Sequence, residues 1–236
     1  MVYKWLNKLQ FALIPPRCLL CGGPGTARHD LCHDCLTALP RVAVACPTCA
    51  LPLPDAAPVT DCGRCRQRPP PFAATHAAFS YGPPLDRLIQ ELKFGQRLSH
   101  ARLLGELLAG YLAAQNGPRP ELLLPVPLHW RRQRGRGFNQ ALELARPVAQ
   151  RLGVKLCADG CRRLRDTAAQ SGLNADARRR NVRGVFAVKA PVGGRRVTLL
   201  DDVVTTGHTV TELARAVLAA GAERVEVWCV ARAARD

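Results

Sequence analysis

The chain has 236 residues, 47% of them hydrophobic, which suits one medium globular domain plus a small one and excludes a disordered polymer. Its formal net charge of +16 divides unevenly: residues 1–75 carry 8 basic and 4 acidic side chains, the remainder 26 and 14. The larger part should attract polyanions. Charge alone, however, separates neither a pyrophosphorylated sugar from a nucleic acid nor either from a solvated basic surface.

Residues 1–14 set Trp5, Leu6, Leu9, Leu13 and Ile14 at near-helical spacing, interrupted by Lys4, Lys8 and Gln10 and stopped by Pro15-Pro16. The stretch is too short and too polar for a signal peptide or a membrane span and reads as an amphipathic helix packed on the rest of the protein. No later stretch reaches ~18 consecutive uncharged apolar residues, the length of a spanning helix. The expectation is a soluble, cytoplasmic protein.

Eight of the 11 cysteines form four C-x-x-C pairs within 48 residues: Cys18/Cys21, Cys32/Cys35, Cys46/Cys49 and Cys62/Cys65. Two residues between thiolates let one knuckle turn both sulfurs onto a single tetrahedral metal, and two knuckles complete a four-cysteine site, so eight ligands imply two structural Zn2+ ions. Disulfides need an oxidising compartment, and redox dithiols need a βαβ scaffold that this Gly- and Pro-rich stretch lacks. Loops of 10 and 12 residues favour sequential pairing, but the loop between the two units also has 10, which leaves crossed pairing open. His29 and His33 lie near the first site and could in principle be ligands, but with enough thiolates available they read as bystanders. With few large apolar residues, this small domain should draw much of its folding free energy from metal. Cys157, Cys161 and Cys229 fall outside the pattern and read as buried or partly buried thiols.

Pro69-Pro70-Pro71 marks a linker over 69–74, dividing a small domain over 1–68 from a larger one over 75–236. Strands are expected at 75–81, 122–126, 154–158, 185–188, from Val197, and at 225–230, with helices at 85–94, 101–114, 138–152 and from near His208 to Ala220. This alternation predicts an α/β fold with a parallel sheet flanked by helices. Pro147 should kink or split its helix.

Three segments of the larger domain carry chemistry. After the strand ending near Val126, Arg131, Arg132, Arg134 and Arg136 crowd with Gly135 and Gly137 into seven residues; read as a flexible loop, their forked guanidinium groups suit a pyrophosphate. A disordered basic loop or a nucleic-acid contact is the competing reading. The long polar run from Arg165 to Phe186, with Thr167, Gln170, Arg178 and Asn181, has the character of a lid that would keep water from a reactive sugar centre. Finally, Val197 to Leu200 form an apolar strand, expected to end at Asp201 and Asp202 on the carboxyl edge of the sheet, where adjacent carboxylates can grip ribose hydroxyls. Val203, Val204, Thr205, Thr206, Gly207, His208 and Thr209 follow. Hydroxyls, a glycine and the free N–H groups of a helix start make that stretch a cradle for a 5′-phosphate. The plain alternative is a buried strand followed by a Thr-rich helix cap.

The run Asp201-Asp202 followed by Thr206-Gly207-His208-Thr209 closely resembles the phosphoribosyl pyrophosphate (PRPP) motif of type I phosphoribosyltransferases. Together with Leu92-Lys93-Phe94-Gly95, Pro125-Val126-Pro127, the arginine run to Asn139-Gln140, the Arg165-to-Phe186 pattern and the cysteine knuckles, it resembles the ComF family over nearly the whole chain. The resemblance implies a type I phosphoribosyltransferase-like domain with a zinc-ribbon head, Mg2+-bound PRPP as ligand, and a link to incoming single-stranded DNA in natural transformation. Departures are His208, where a small residue is common, Asn174, where Ser is common, and Pro147.

Two functional classes follow from these readings. One is an enzyme transferring phosphoribose from PRPP with release of pyrophosphate. The other is a non-catalytic adaptor holding single-stranded DNA and a partner such as a ComFA-like DNA-translocating ATPase, with a PRPP sensor as a third, weaker form. An amidophosphoribosyltransferase is not expected, since the glutaminase half of that enzyme uses an N-terminal cysteine and the first cysteine here is Cys18.

Overall fold

The computed structural model describes residues 16–26, 29–54, 59–115, 117–165 and 184–234. The expected helix over 1–14 lies outside them, as does most of the 165–186 run. In chain order the elements are α1 (His33–Thr37), α2 (Gly63–Gln67), β1 (Thr75–Ser80), α3 (Leu85–Phe94), α4 (Leu98–Ala113), β2 (Leu122–Pro125), α5 (Trp130–Arg136), α6 (Gln140–Leu152), β3 (Cys161–Arg163), β4 (Phe186–Val188), β5 (Arg196–Val204), α7 (His208–Ala219) and β6 (Arg224–Arg232).

The main sheet is the expected parallel one, in the order β1-β6-β5-β2. Leu199, Leu200, Val227 and Val230 of its two inner strands are fully buried, as a sheet covered on both faces requires. Right-handed crossovers explain the layers. The chain runs from β1 across to β2 through α3 and α4, then onward through α6, so α4 and α6 pack together on one face; β5 returns toward β1 through α7, which takes the other. Both sheet edges are covered. Residues 40–47 run along β1, with Ser80 N–H donating to Pro40 O at 2.8 Å, and residues 155–157 run along β2, with Leu123 N–H donating to Lys155 O at 2.9 Å. The strand expected at 154–158 is reduced to a single bridge, Leu123 to Leu156. The strand expected near 185–188 pairs instead with β3, in a small antiparallel ribbon beside the main sheet.

Pro147 does not split its helix: α6 runs from Gln140 to Leu152. Gly105 of α4 leaves the hollow that receives the proline ring, since a Cβ there would stand 2.5 Å from Pro147 Cγ and 2.8 Å from Leu144 O. Good caps compensate for the lost N–H. Asn139 Oδ1 accepts from Ala141 N–H, and Gly153 closes the helix in the left-handed region at φ 68°.

The cysteine-bearing segment shares the main core. Leu31, Leu39 and Ala50 are buried in the same cluster as α3, α4 and the sheet, which supplies the apolar contact that the segment lacks by itself.

Candidate functional site

The two acids sit within β5, not at its end: Asp201 faces Cys229 and Val203 faces Ala231 in the ladder with β6, and the strand runs on to Val204. The expectation that the acids terminate the strand is corrected, because pairing with β6 outweighs the poor strand preference of aspartate. Strand alternation would part the two side chains, yet each carboxyl turns toward the carboxyl end of the strand: Asp202 N–H donates to Asp201 Oδ1 and Val203 N–H to Asp202 Oδ1, both at 2.9 Å. Asp202 is 3% exposed and is charge-compensated by Lys93 from the last turn of α3, with Nζ 2.7 Å from Oδ2. Asp201 is half-buried. Its carboxyl is held well above the usual carboxylate range by burial and by the Asp202 charge, with Lys93 acting in the opposite sense.

Beyond Val204 the chain makes a tight turn over Thr205, Thr206 and Gly207. Gly207 adopts φ 78°, a left-handed conformation that glycine takes without strain, and serves as N-cap of the 12-residue α7. Thr211 N–H donates to Gly207 O at 2.9 Å, which leaves the earlier amides of α7 free of intrahelical partners at the positive end of its dipole. Of the residues expected to cradle a phosphate, Val203 and Val204 belong to the strand, Thr205 is exposed, and Thr206, His208 and Thr209 are half-buried around the turn. His208 lines a cavity described below.

The arginine run is not the flexible loop expected from its two glycines. Arg131 to Arg136 form the helix α5, capped by His129 Nδ1, which accepts from Arg131 N–H, and ended by Gly137 at φ 81°. Val126 N–H donates to Leu200 O at 2.9 Å, so this segment leaves the sheet beside Asp201. Arg131 and Arg134 lie 5.3 and 5.8 Å from the ring of Trp130, and Arg136 lies 5.4 Å from that of Phe94. Phe94 follows Lys93, so the ends of α3, α5 and β5 converge on one corner. Arg165 lies at the edge of the described residues; Thr167, Gln170, Arg178 and Asn181 lie outside them.

The cysteines gather in sequential pairs. Cys18, Cys21, Cys32 and Cys35 form one group and Cys46, Cys49, Cys62 and Cys65 the other, with the sulfurs of each group within 4.8 Å of one another. Cys21 and Cys32 stand 3.8 Å apart and Cys49 and Cys62 3.7 Å. A tetrahedron with zinc–sulfur bonds of about 2.3 Å has edges of about 3.8 Å, so both groups fit zinc. These are two four-cysteine zinc-binding sites, and the pairing that spacing left open is resolved. Neither His29 nor His33 belongs to a group; His29 Nδ1 lies 3.8 Å from Glu106 instead. Of the remaining thiols, Cys161 and Cys229 are buried, and burial pushes both up to about 12, away from the reactive thiolate form.

Two cationic side chains that sequence reasoning left without a role border the turn. Arg232 ends β6 at 2% exposure, and Arg64 of α2 donates to Thr206 O at 3.2 Å. Between the second zinc site and the turn lies a cavity of about 110 Å³, walled by Phe72, Arg64, Arg68, Gly207, His208 and Arg215 among others. A lone arginine closing the apolar run of β6 was the available signal, since a buried cation must find partners.

Residues 9–66 match the double zinc ribbon domain, and residues 139–236 match the phosphoribosyl transferase domain. The chain is 39% identical over 224 residues to the DNA utilization protein YhgH of Salmonella typhi, covering 93% of this chain and 98% of that protein. It is 34% identical over 227 residues to Competence protein F of Haemophilus influenzae, covering 92% and 97%. Among solved structures, it is similar to the glutamine PRPP amidotransferase from B. subtilis, with 20% identity, a TM-score of 0.37, and 55% of this chain and 25% of that one covered. No helix among the described residues is long and apolar enough to cross a membrane. Relatives matched over nearly their whole length, and both domain matches, place this chain in the ComF family, which joins a double zinc ribbon to a phosphoribosyltransferase domain.

Proposed function

We propose that the protein binds Mg2+-PRPP at the carboxyl edge of β5 and transfers its phosphoribosyl group, with release of pyrophosphate. One observation carries this reading: two adjacent acids lead directly into a left-handed glycine turn and the free amides of a 12-residue helix. In this reading Asp201 and Asp202 face the ribose, while the amides and hydroxyls of Thr205 to Thr209 take the 5′-phosphate. The C1–O bond to pyrophosphate breaks as the acceptor's bond to C1 forms, and the leaving charge is met by Arg131, Arg132, Arg134 and Arg136. Magnesium, when bound, neutralises the pyrophosphate oxygens. The site suits a dication because a second cation would offset the Asp202 charge that holds the Asp201 carboxyl up, which Lys93 offsets only in part. Catalysis would rest on positioning and charge stabilisation. Calorimetric titration of Mg2+-PRPP into the zinc-loaded protein and into an Asp201→Asn/Asp202→Asn variant tests the reading; absence of binding to the unaltered protein overturns it.

A second reading, in which the domain also serves as an adaptor on single-stranded DNA, is favoured by the same corner. Trp130 is 53% exposed and Phe94 75%, both flanked by arginines, an arrangement on which bases stack and phosphates pair. The names of the relatives, a DNA utilization protein and a competence protein, agree with it. Trp130→Ala should weaken binding of an oligonucleotide about 5- to 100-fold, with affinity in the unaltered protein falling steeply as salt rises. Binding that is indifferent to salt and to this substitution removes the adaptor.

A further inference from the structure

The second zinc ribbon and the turn after β5 are tied together by one buried side chain. Arg232 Nε donates to Cys49 O at 2.8 Å, while its Nη1 donates to Val204 O at 2.9 Å, to Ala233 O at 2.7 Å and to Thr205 O. Arg64, from α2 of the same ribbon, donates to Thr206 O. The carbonyls of three successive residues, Val204, Thr205 and Thr206, are therefore held by guanidinium groups. One of those groups also holds a carbonyl of the knuckle that carries a zinc ligand. Arg232 is 2% exposed, and these carbonyls compensate its burial. The first ribbon is fastened elsewhere: Arg87 donates to Leu20 O at 3.4 Å, and Arg102 of α4 pairs with Asp30.

We infer that Arg232 is a positioning residue for the turn and that it couples the turn to the second zinc site and not to the first. Metal held by Cys46, Cys49, Cys62 and Cys65 fixes the Cys49 carbonyl. Arg232 then carries that constraint across to Val204 and Thr205, and the amides of residues 205–209 keep the geometry that an anion needs. The ligand assigned to the turn rests on the PRPP reading above; the order of the turn does not. Lysine cannot substitute, because its single ammonium cannot span Cys49 O on one side and Val204, Thr205 and Ala233 O on the other.

The test is amide hydrogen exchange on the full-length, zinc-supplemented protein without nucleotide, comparing Arg232→Lys, Cys62→Ser and Cys32→Ser. Exchange at the Thr211 and Ala233 amides, which donate to Gly207 O and Val204 O at the two sides of the turn, should rise about 10-fold or more in Arg232→Lys and Cys62→Ser, with 197–200 and 225–230 as protected as before, and should stay within about 2-fold in Cys32→Ser. Equal acceleration by Cys32→Ser, or an unchanged turn in Arg232→Lys, overturns the coupling. Should Cys62→Ser deprotect the inner strands as well, Arg232→Lys and Arg64→Ala decide: acceleration confined to Thr211 and Ala233 supports the coupling, and no acceleration refutes it. Calorimetry with Mg2+-PRPP on the same proteins separates the two ideas. Absence of binding to the unaltered protein sinks the phosphoribosyl reading, while exchange still judges the coupling.

Discussion

Replacing Lys93 by Met removes a charge while keeping an unbranched side chain of similar reach. Lys93 Nζ lies 2.7 Å from Asp202 Oδ2; the carboxylate side chain is 4% exposed and the lysine side chain 24%. Removing one partner of a fully buried pair costs about 3–5 kcal/mol, because the other charge stays desolvated. The ammonium keeps partial access to water, which reduces the figure to about 2–3 kcal/mol. A chain of this length shifts its Tm by about 2–4 °C per kcal/mol, so Lys93→Met should melt about 5–10 °C lower in saturating zinc. Adding Asp202→Asn removes the stranded charge, and the double variant should return to within about 1 kcal/mol of the unaltered protein. Thermal unfolding followed by circular dichroism completes the cycle. A Lys93→Met variant that melts with the unaltered protein, or a double variant no more stable than that single one, would show that Asp202 does not depend on the lysine.

The same reasoning gives a sign for Asp201. Its folded pKa is raised, so the folded state binds more protons than an unfolded chain whose aspartates titrate near about 3.9, and stability falls as pH rises through the window above that value. Asp201→Asn keeps the acceptor for Asp202 N–H and should raise Tm at pH 7 but not at pH 4; an equal shift at both pH values would refute the burial argument. Gly105→Ala drives a methyl into Pro147 and Leu144 O and should cost about 1–3 kcal/mol in denaturant titration, part of which Pro147→Ala restores. Chelation should release two zinc ions per chain and open residues 16–68 to proteolysis, while retention of zinc by a chain with both Cys21 and Cys49 replaced by Ser would contradict the four-thiolate assignment.

Much of the site was readable because its signals are local. The apolar run into Asp201, the glycine at 207 and the helix after it each depend on a few neighbouring residues, and the knuckles carry their own spacing. Errors arose where a distant partner overrode a local preference. Paired aspartates read as a strand end until Cys229 and Ala231 of β6 are seen opposite them. Gly135 and Gly137 read as a loop, but the His129 cap and the Trp130 stack hold a helix. Pro147 reads as a point where the helix could split unless Gly105 is known to face it. Zinc pairing was ambiguous because three loops have nearly equal lengths. Lys93 stood in a recognisable motif, yet nothing in its neighbourhood names Asp202, more than a hundred positions away, as its partner. Arg232 and Cys49 are further apart still.

The central claim is that the edge of β5 and the turn after it form a phosphoribosyl site. Its most direct test is the heat of Mg2+-PRPP binding to the zinc-loaded protein, beside the Asp201→Asn/Asp202→Asn variant as control. The account predicts saturable, micromolar binding that the double substitution abolishes. No heat with the unaltered protein, or the same affinity in the variant, would contradict it.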